Sequence, residues 1–104
     1  MKDISIKHDP KEKTFYAHMD ESKQAQLDYE RPERKIFDFN HIFVPKKFRN
    51  TGLADQITRF ALEFVESKNY QMIASCPFVR KYLDRNPAFK KLLVDNYEDP
   101  FMKN

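Results

Sequence analysis

The sequence predicts an α/β (α+β) domain: antiparallel strands 1–4, a crossover helix, a parallel fifth strand and short C-terminal helices. Three observations predict it. Apolar residues alternate with polar ones through much of residues 4–44, with turn-forming clusters between the runs. The period then lengthens to three and four residues over Leu53, Ile57, Phe60, Ala61, Phe64 and Val65, the apolar stripe of a helix. A short apolar run at residues 70–75 follows directly. A strand–helix–strand unit of this kind is a crossover, right-handed, with its two strands parallel.

In chain order, Ile4 and Ile6 alternate with polar neighbours as a first strand ending near His8. Asp9-Pro10-Lys11-Glu12 is a turn, and Thr14-Phe15-Tyr16-Ala17-His18-Met19 reads as the second strand. Residues 20–23 turn again, and Ala25, Leu27 and Tyr29 alternate as the third. Arg31-Pro32-Glu33-Arg34 reads as the next hairpin loop, because proline cannot join a central ladder. Residues 35–44 form the fourth strand, with Phe37, Phe39, His41 and Phe43 on one face and Ile36, Asp38, Asn40, Ile42 and Val44 on the other. Pro45 ends it. Ser67-Lys68-Asn69 closes the helix, residues 70–75 form strand five, and Cys76-Pro77 stops that strand and opens a helix reaching Tyr82 or Asp84. Asn86-Pro87 breaks it, residues 88–94 read as a short last helix, and residues 95–104 as a loose tail whose Tyr97 and Phe101 are free to dock.

The 104 residues make one domain, 1–104, with room for a single core but little for a deep enclosed site. Ten Phe and five Tyr within a 40% hydrophobic fraction argue against disorder despite 34% charged residues. No apolar stretch approaches the ~20 residues that cross a bilayer. The N-terminus lacks a signal-peptide core, so a cytoplasmic protein is expected. Cys76 is the sole cysteine and His8, His18 and His41 show no ligand spacing, so neither disulfide nor metal is expected. The net charge of +3 gathers at Lys46, Lys47 and Arg49, at Arg80 and Lys81, and at Arg85, Lys90 and Lys91. Such small clusters, without a reading module, disfavour nucleic acid and suit a nucleotide-like ligand.

Gly52 is the only glycine, and it sits in Arg49-Asn50-Thr51-Gly52-Leu53-Ala54 at the start of the helix. Glycine there permits positive φ and a close approach of ligand to backbone. The first-turn N–H groups then face outward with the positive helix dipole behind them, an arrangement that suits a phosphate or pyrophosphate. An ordinary strand-to-helix turn among solvated charges would carry the same residues. The topology puts this helix start beyond the C-terminal end of strand four, where open α/β sheets bind ligands.

Arg49-x-x-Gly52-x-Ala54, between strand four and the helix, resembles the acetyl-CoA-binding motif Gln/Arg-x-x-Gly-x-Gly/Ala of the GNAT N-acetyltransferase superfamily. The chain also resembles the minimal stand-alone GNAT-like proteins through His41-Ile42-Phe43-Val44-Pro45 and Cys76-Pro77-Phe78-Val79. The likeness runs from about Asp38 to Leu92. It lacks the two helices that help form the acceptor pocket of larger members, and their late Tyr-x-x-x-Gly-Phe segment.

The resemblance implies a small N-acetyltransferase that moves acetyl from acetyl-CoA to a primary amine by direct attack. The acceptor would be a small molecule or a protein lysine, and the protein a monomer or weak homodimer. A CoA- or acyl-CoA-binding module without robust catalysis is the alternative. Backbone N–H groups of Asn50, Thr51, Gly52, Leu53 and Ala54 would hold the pyrophosphate, assisted by Arg49 and the Thr51 side chain. Phe43 and Val44 would offer strand-edge groups to the pantetheine arm, and Asn86 would either bond the cofactor or cap the last helix. His41 is the candidate general base, or else a core-packed histidine. Cys76 is a polar wall beside the sulfur, a nucleophile, or a small buried hydrophobe; no visible His or acid partner ranks the wall first. Tyr82 either donates a proton to the leaving thiolate or packs on the sheet.

Overall fold

The computed structural model describes residues 4–19 and 22–94. The alternating segments form β1 Ser5–Asp9, β2 Thr14–Met19, β3 Ser22–Glu33 and β4 Ile36–Phe43, and β5 is Gln71–Ala74. They lie in the order β1-β2-β3-β4-β5, antiparallel through β4 and parallel between β4 and β5. The crossover helix α1 spans Leu53–Ser67 and the second helix α2 spans Pro77–Arg85. Short 3₁₀ segments occupy Lys46–Phe48 and Pro87–Leu92. The last replaces the helix expected over residues 88–94, and it carries Leu93 into a parallel bridge with Met72. The tail 95–104, with Tyr97 and Phe101, lies outside the described residues. Among the described residues no helix is long and apolar enough to cross a membrane.

Turn chemistry sets the hairpins. Asp9 Oδ1 accepts from the backbone N–H of Lys11 and Glu12 at 3.1 and 3.3 Å, and Lys13 takes φ 54 to bring the chain back into β2. The expected loop at residues 31–34 is corrected: β3 runs on to Glu33, and Arg34 and Lys35 make the turn. Pairing passes from Glu30↔Asp38 to Glu33↔Ile36, so Arg31 and Pro32 sit in a bulge, where a missing N–H breaks no ladder bond. Arg31 holds that bulge by stacking 4.2 Å over Phe37 and 5.4 Å over Tyr70 while its Nε donates to Ile36 O.

A second irregularity decides the site. Asp28 pairs with His41 and Tyr29 with Phe39, so Asn40 is an extra residue in β4. One inserted residue exchanges the faces of everything after it. Phe37 and Phe39 are buried at 1% and 0% exposure, but Ile42 and Val44, not His41 and Phe43, pack against the core beyond the bulge. His41 is therefore exposed on the opposite face, which corrects the expectation of one continuous face through Phe43.

The core joins Phe15, Leu27, Phe37 and Phe39 of the sheet to Leu53, Ile57, Ala61 and Val65 of α1. α1 is buried on a wider arc than its stripe suggests: Thr58 and Leu62 are wholly buried, whereas Phe60 stays 38% exposed. The segment around α2 and Leu92 covers that second flank. Thr58 satisfies its hydroxyl on Ala54 O at 2.8 Å.

His8 stacks on Phe15 at 4.1 Å between centroids, and its Nε2 lies 2.6 Å from the Tyr29 hydroxyl. Burial pushes the imidazole below its ordinary pKa, chiefly by desolvation. The unfolded chain then binds the proton more tightly, so this contribution is complete above about pH 6.5 and is lost as pH falls through the lowered value. Melting temperatures should fall on acidification through that range, and His8→Phe should flatten the slope; an unchanged slope would show that His8 is not the group responsible.

Candidate functional site

Strands β4 and β5 pair from Ile36↔Gln71 to Phe39↔Ala74, and Cys76 N–H makes the last link to Phe39 O at 2.8 Å. Immediately beyond, the Asn40 bulge bends β4 while the other chain turns into α2. The two separate and leave a groove of about 470 Å³. Ile42, Phe43 and Val44 form one wall and Phe78 with Arg85 the other. Phe48, Arg49, Asn50 and Gly52 lead into its end, which Leu53, Ala54 and Asp55 close with the first turn of α1.

Gly52 is the N-cap of α1 at φ 85, and Asn50 also lies in the left-handed region at φ 68. No side chain caps this end, and the first helical hydrogen bond is Gln56 N–H to Gly52 O at 3.0 Å. The N–H groups of Leu53, Ala54 and Asp55 precede it and have no intrahelical acceptor. A Cβ placed on Gly52 would meet none of the described residues beyond its chain neighbours within 4 Å, so the space beside the glycine is open. The turn fits a diphosphate: free donors, a positive dipole end and room for direct approach. Asp55 would oppose an anion, but Arg85 grips its two oxygens, Nη1 and Nη2 each at 3.1 Å. That pair ties α2 to α1 across the groove and cancels the carboxylate charge.

Of the residues singled out for cofactor binding, Phe43, Val44, Arg49, Asn50, Gly52, Leu53 and Ala54 come together in this lining. Two local contacts redirect their neighbours. Arg49 Nε donates back to Val44 O at 3.2 Å, and the Thr51 hydroxyl donates to Phe48 O, so both side chains brace the loop. Asn86 is outside the lining, and its Nδ2 donates to Tyr82 O at 2.9 Å, closing the end of α2. Cys76 is the N-cap of α2 and 3% exposed within the core cluster. Tyr82 is 4% exposed, packed between the helices beside Asp55, Arg59 and Glu63, and burial pushes its hydroxyl pKa up. Neither Cys76 nor Tyr82 lines the groove.

His41 stands on the outer face of β4, one residue before the groove wall, with Nδ1 3.4 Å from Asp28 Oδ2. Asp28 Oδ1 accepts from Gln26 Nε2 at 2.8 Å. Sequence reasoning passed over Asp28, because its partnership with His41 depends on the bulge. It also passed over Asp55, although a carboxylate three residues past the glycine and a later arginine were the available signals.

A family model described as GCN5-related N-acetyl-transferase matches residues 14–92. Protein NATD1 from Gallus gallus is 31% identical over 85 residues, covering 81% of this chain and 77% of that protein. Protein NATD1 from Homo sapiens is 29% identical over the same length, covering 81% and 75%. Among solved structures, the solution structure of a GCN5-like protein from Staphylococcus aureus superposes with a TM-score of 0.68. It shares 20% identity and covers 94% of this chain and 95% of its own, which establishes a common fold.

Proposed function

The chain belongs to the GCN5-related N-acetyltransferase family, and on that premise we propose that it transfers acetyl from acetyl-CoA to a primary amine. The observation that carries the reading is the uncapped start of α1, with Gly52 in the left-handed region, at the end of the groove where β4 and β5 part. Bound acetyl-CoA supplies a thioester that an amine can attack directly. Main-chain donors of Leu53, Ala54 and Asp55 would hold its diphosphate, with Lys46 and Lys47 as nearby cations. The edge of β4 past Phe39, released from β5, offers its remaining backbone groups to the amide-bearing arm, and Phe43 and Phe78 flank that arm.

His41 Nε2 accepts the proton that the amine sheds as nitrogen bonds the acetyl carbon and the carbon–sulfur bond breaks. Its exposure lets the proton pass on to water. Cys76, buried at the α2 N-cap and outside the groove lining, is a small core residue and not a nucleophile. Cys76→Ala is therefore expected to lower turnover by less than about tenfold, well short of the roughly 10²–10⁴ or more tied to an essential proton-transfer or nucleophilic group. Complete loss with intact acetyl-CoA binding would instead establish a covalent route.

The test is a thermal-shift titration with acetyl-CoA followed by an amine panel that includes lysine peptides. A saturable rise in melting temperature with turnover on at least one amine is expected. No stabilisation at millimolar ligand would remove the reading. Binding without transfer would favour a CoA-binding module.

A further inference from the structure

We propose that Asp28 and Gln26 form a positioning relay that fixes His41 in the tautomer a general base requires, which rests on the transferase reading above. The relay exists because of one inserted residue. Were Asn40 paired with Asp28 in regular register from Tyr29↔Phe39, His41 would stand opposite Leu27 and face the core; because Asn40 is bulged out of the pairing, His41 stands opposite Asp28 on the outer face. Asp28 then presents two differently engaged oxygens. Oδ1 is held by Gln26 Nε2 at 2.8 Å, and Oδ2 lies 3.4 Å from His41 Nδ1.

An ionised carboxylate only accepts hydrogen bonds, so the imidazole atom facing it must carry the proton. Nδ1 is that atom, and Nε2 is left with a free lone pair. A neutral imidazole so oriented can take a proton only at Nε2, the nitrogen turned away from Asp28. When the attacking amine gives up its proton there, the positive charge on the ring is met by Asp28, and the Gln26 bond keeps the carboxylate from swinging away. The separation of 3.4 Å is long for a hydrogen bond, as catalytic contacts often are before the substrate complex forms. Asp28 does not touch substrate in this scheme. It acts through His41.

The experiment has two arms. In cofactor-free protein, two-bond nitrogen–proton correlation spectra of the imidazole, assigned with His41→Gln, report which nitrogen bears the proton. Wild type should show protonated Nδ1 and bare Nε2 at a pH where the ring is neutral. Asp28→Asn, whose amide can donate to Nδ1, should move the proton to Nε2, and Asp28→Glu should restore the wild-type pattern. In steady-state assays Asp28→Asn should lower kcat about 10- to 100-fold, a part of the roughly 10²–10⁴ that a general base supplies. KM for acetyl-CoA should be unchanged, and Asp28→Glu should recover part of the loss. Protonated Nε2 in wild type, or one pattern in all three proteins, overturns the relay. An equal fall in kcat and in folding stability without a tautomer change also overturns it, by assigning Asp28 a structural part. If wild type shows the expected tautomer yet acetylates no amine, the relay stands and the transferase reading is the one that fails.

Discussion

A Gly52→Val protein is expected to fold and to bind acetyl-CoA at least about a hundredfold more weakly than wild type. Two separate effects lead there. Gly52 has φ 85, a conformation that costs an L-residue roughly 1–2 kcal/mol and a β-branched one more. Among the described residues a new Cβ would meet nothing beyond its chain neighbours within 4 Å, so strain and not collision sets the stability loss, which the domain should survive. The ligand meets the side chain directly. Two charge-assisted hydrogen bonds at about 1.5–3 kcal/mol each would be lengthened or lost, and about 2.7 kcal/mol already makes a hundredfold change in Kd. Calorimetric titration beside a denaturation curve separates the two effects. Affinity within threefold of wild type, in a protein that still folds, would remove the phosphate role of this turn.

Phe37→Ala is expected to have the largest effect on stability, a loss of about 3–5 kcal/mol. Phe37 is 1% exposed and sits where three parts of the chain meet. Its ring lies 4.5 Å from Tyr29, 5.9 Å from Phe64 of α1 and 5.9 Å from Tyr70, with the Arg31 guanidinium 4.2 Å above it. Truncation removes the buried ring and also the platform that holds the Arg31–Pro32 bulge, and neighbours of that size collapse poorly into the space. Against a total of about 5–15 kcal/mol, the variant should be largely unfolded at 37 °C or show a much lower urea midpoint. A loss below about 1 kcal/mol would contradict the account of the core.

Strand order, crossover helix and the glycine turn at the helix start were legible in residues 4–76, because alternation, helical period and a lone glycine are local signals. The bulges were not. Nothing at Asn40 marks it as the residue to be skipped; β3 decides that, by pairing Asp28 with His41 and Tyr29 with Phe39. The misplaced face of His41, and the missed Asp28, both follow from that one non-local choice. Pro32 misled for a similar reason: proline signals a loop, but a bulge braced by Arg31 accommodates it within a strand. On α1, the burial of Thr58 and Leu62 came from a second covering layer that helical periodicity alone does not reveal.

On the transferase reading, the backbone around Gly52 receives the diphosphate of an acyl carrier. Amide resonances followed during titration of the isotope-labelled full chain with CoA test it most directly. Saturable shifts concentrated at Gly52, Leu53, Ala54 and Asp55 are expected, with smaller ones at Phe43, Val44 and Phe78. Shifts confined to another surface, or a folded spectrum that CoA leaves unchanged at millimolar concentration, would contradict it.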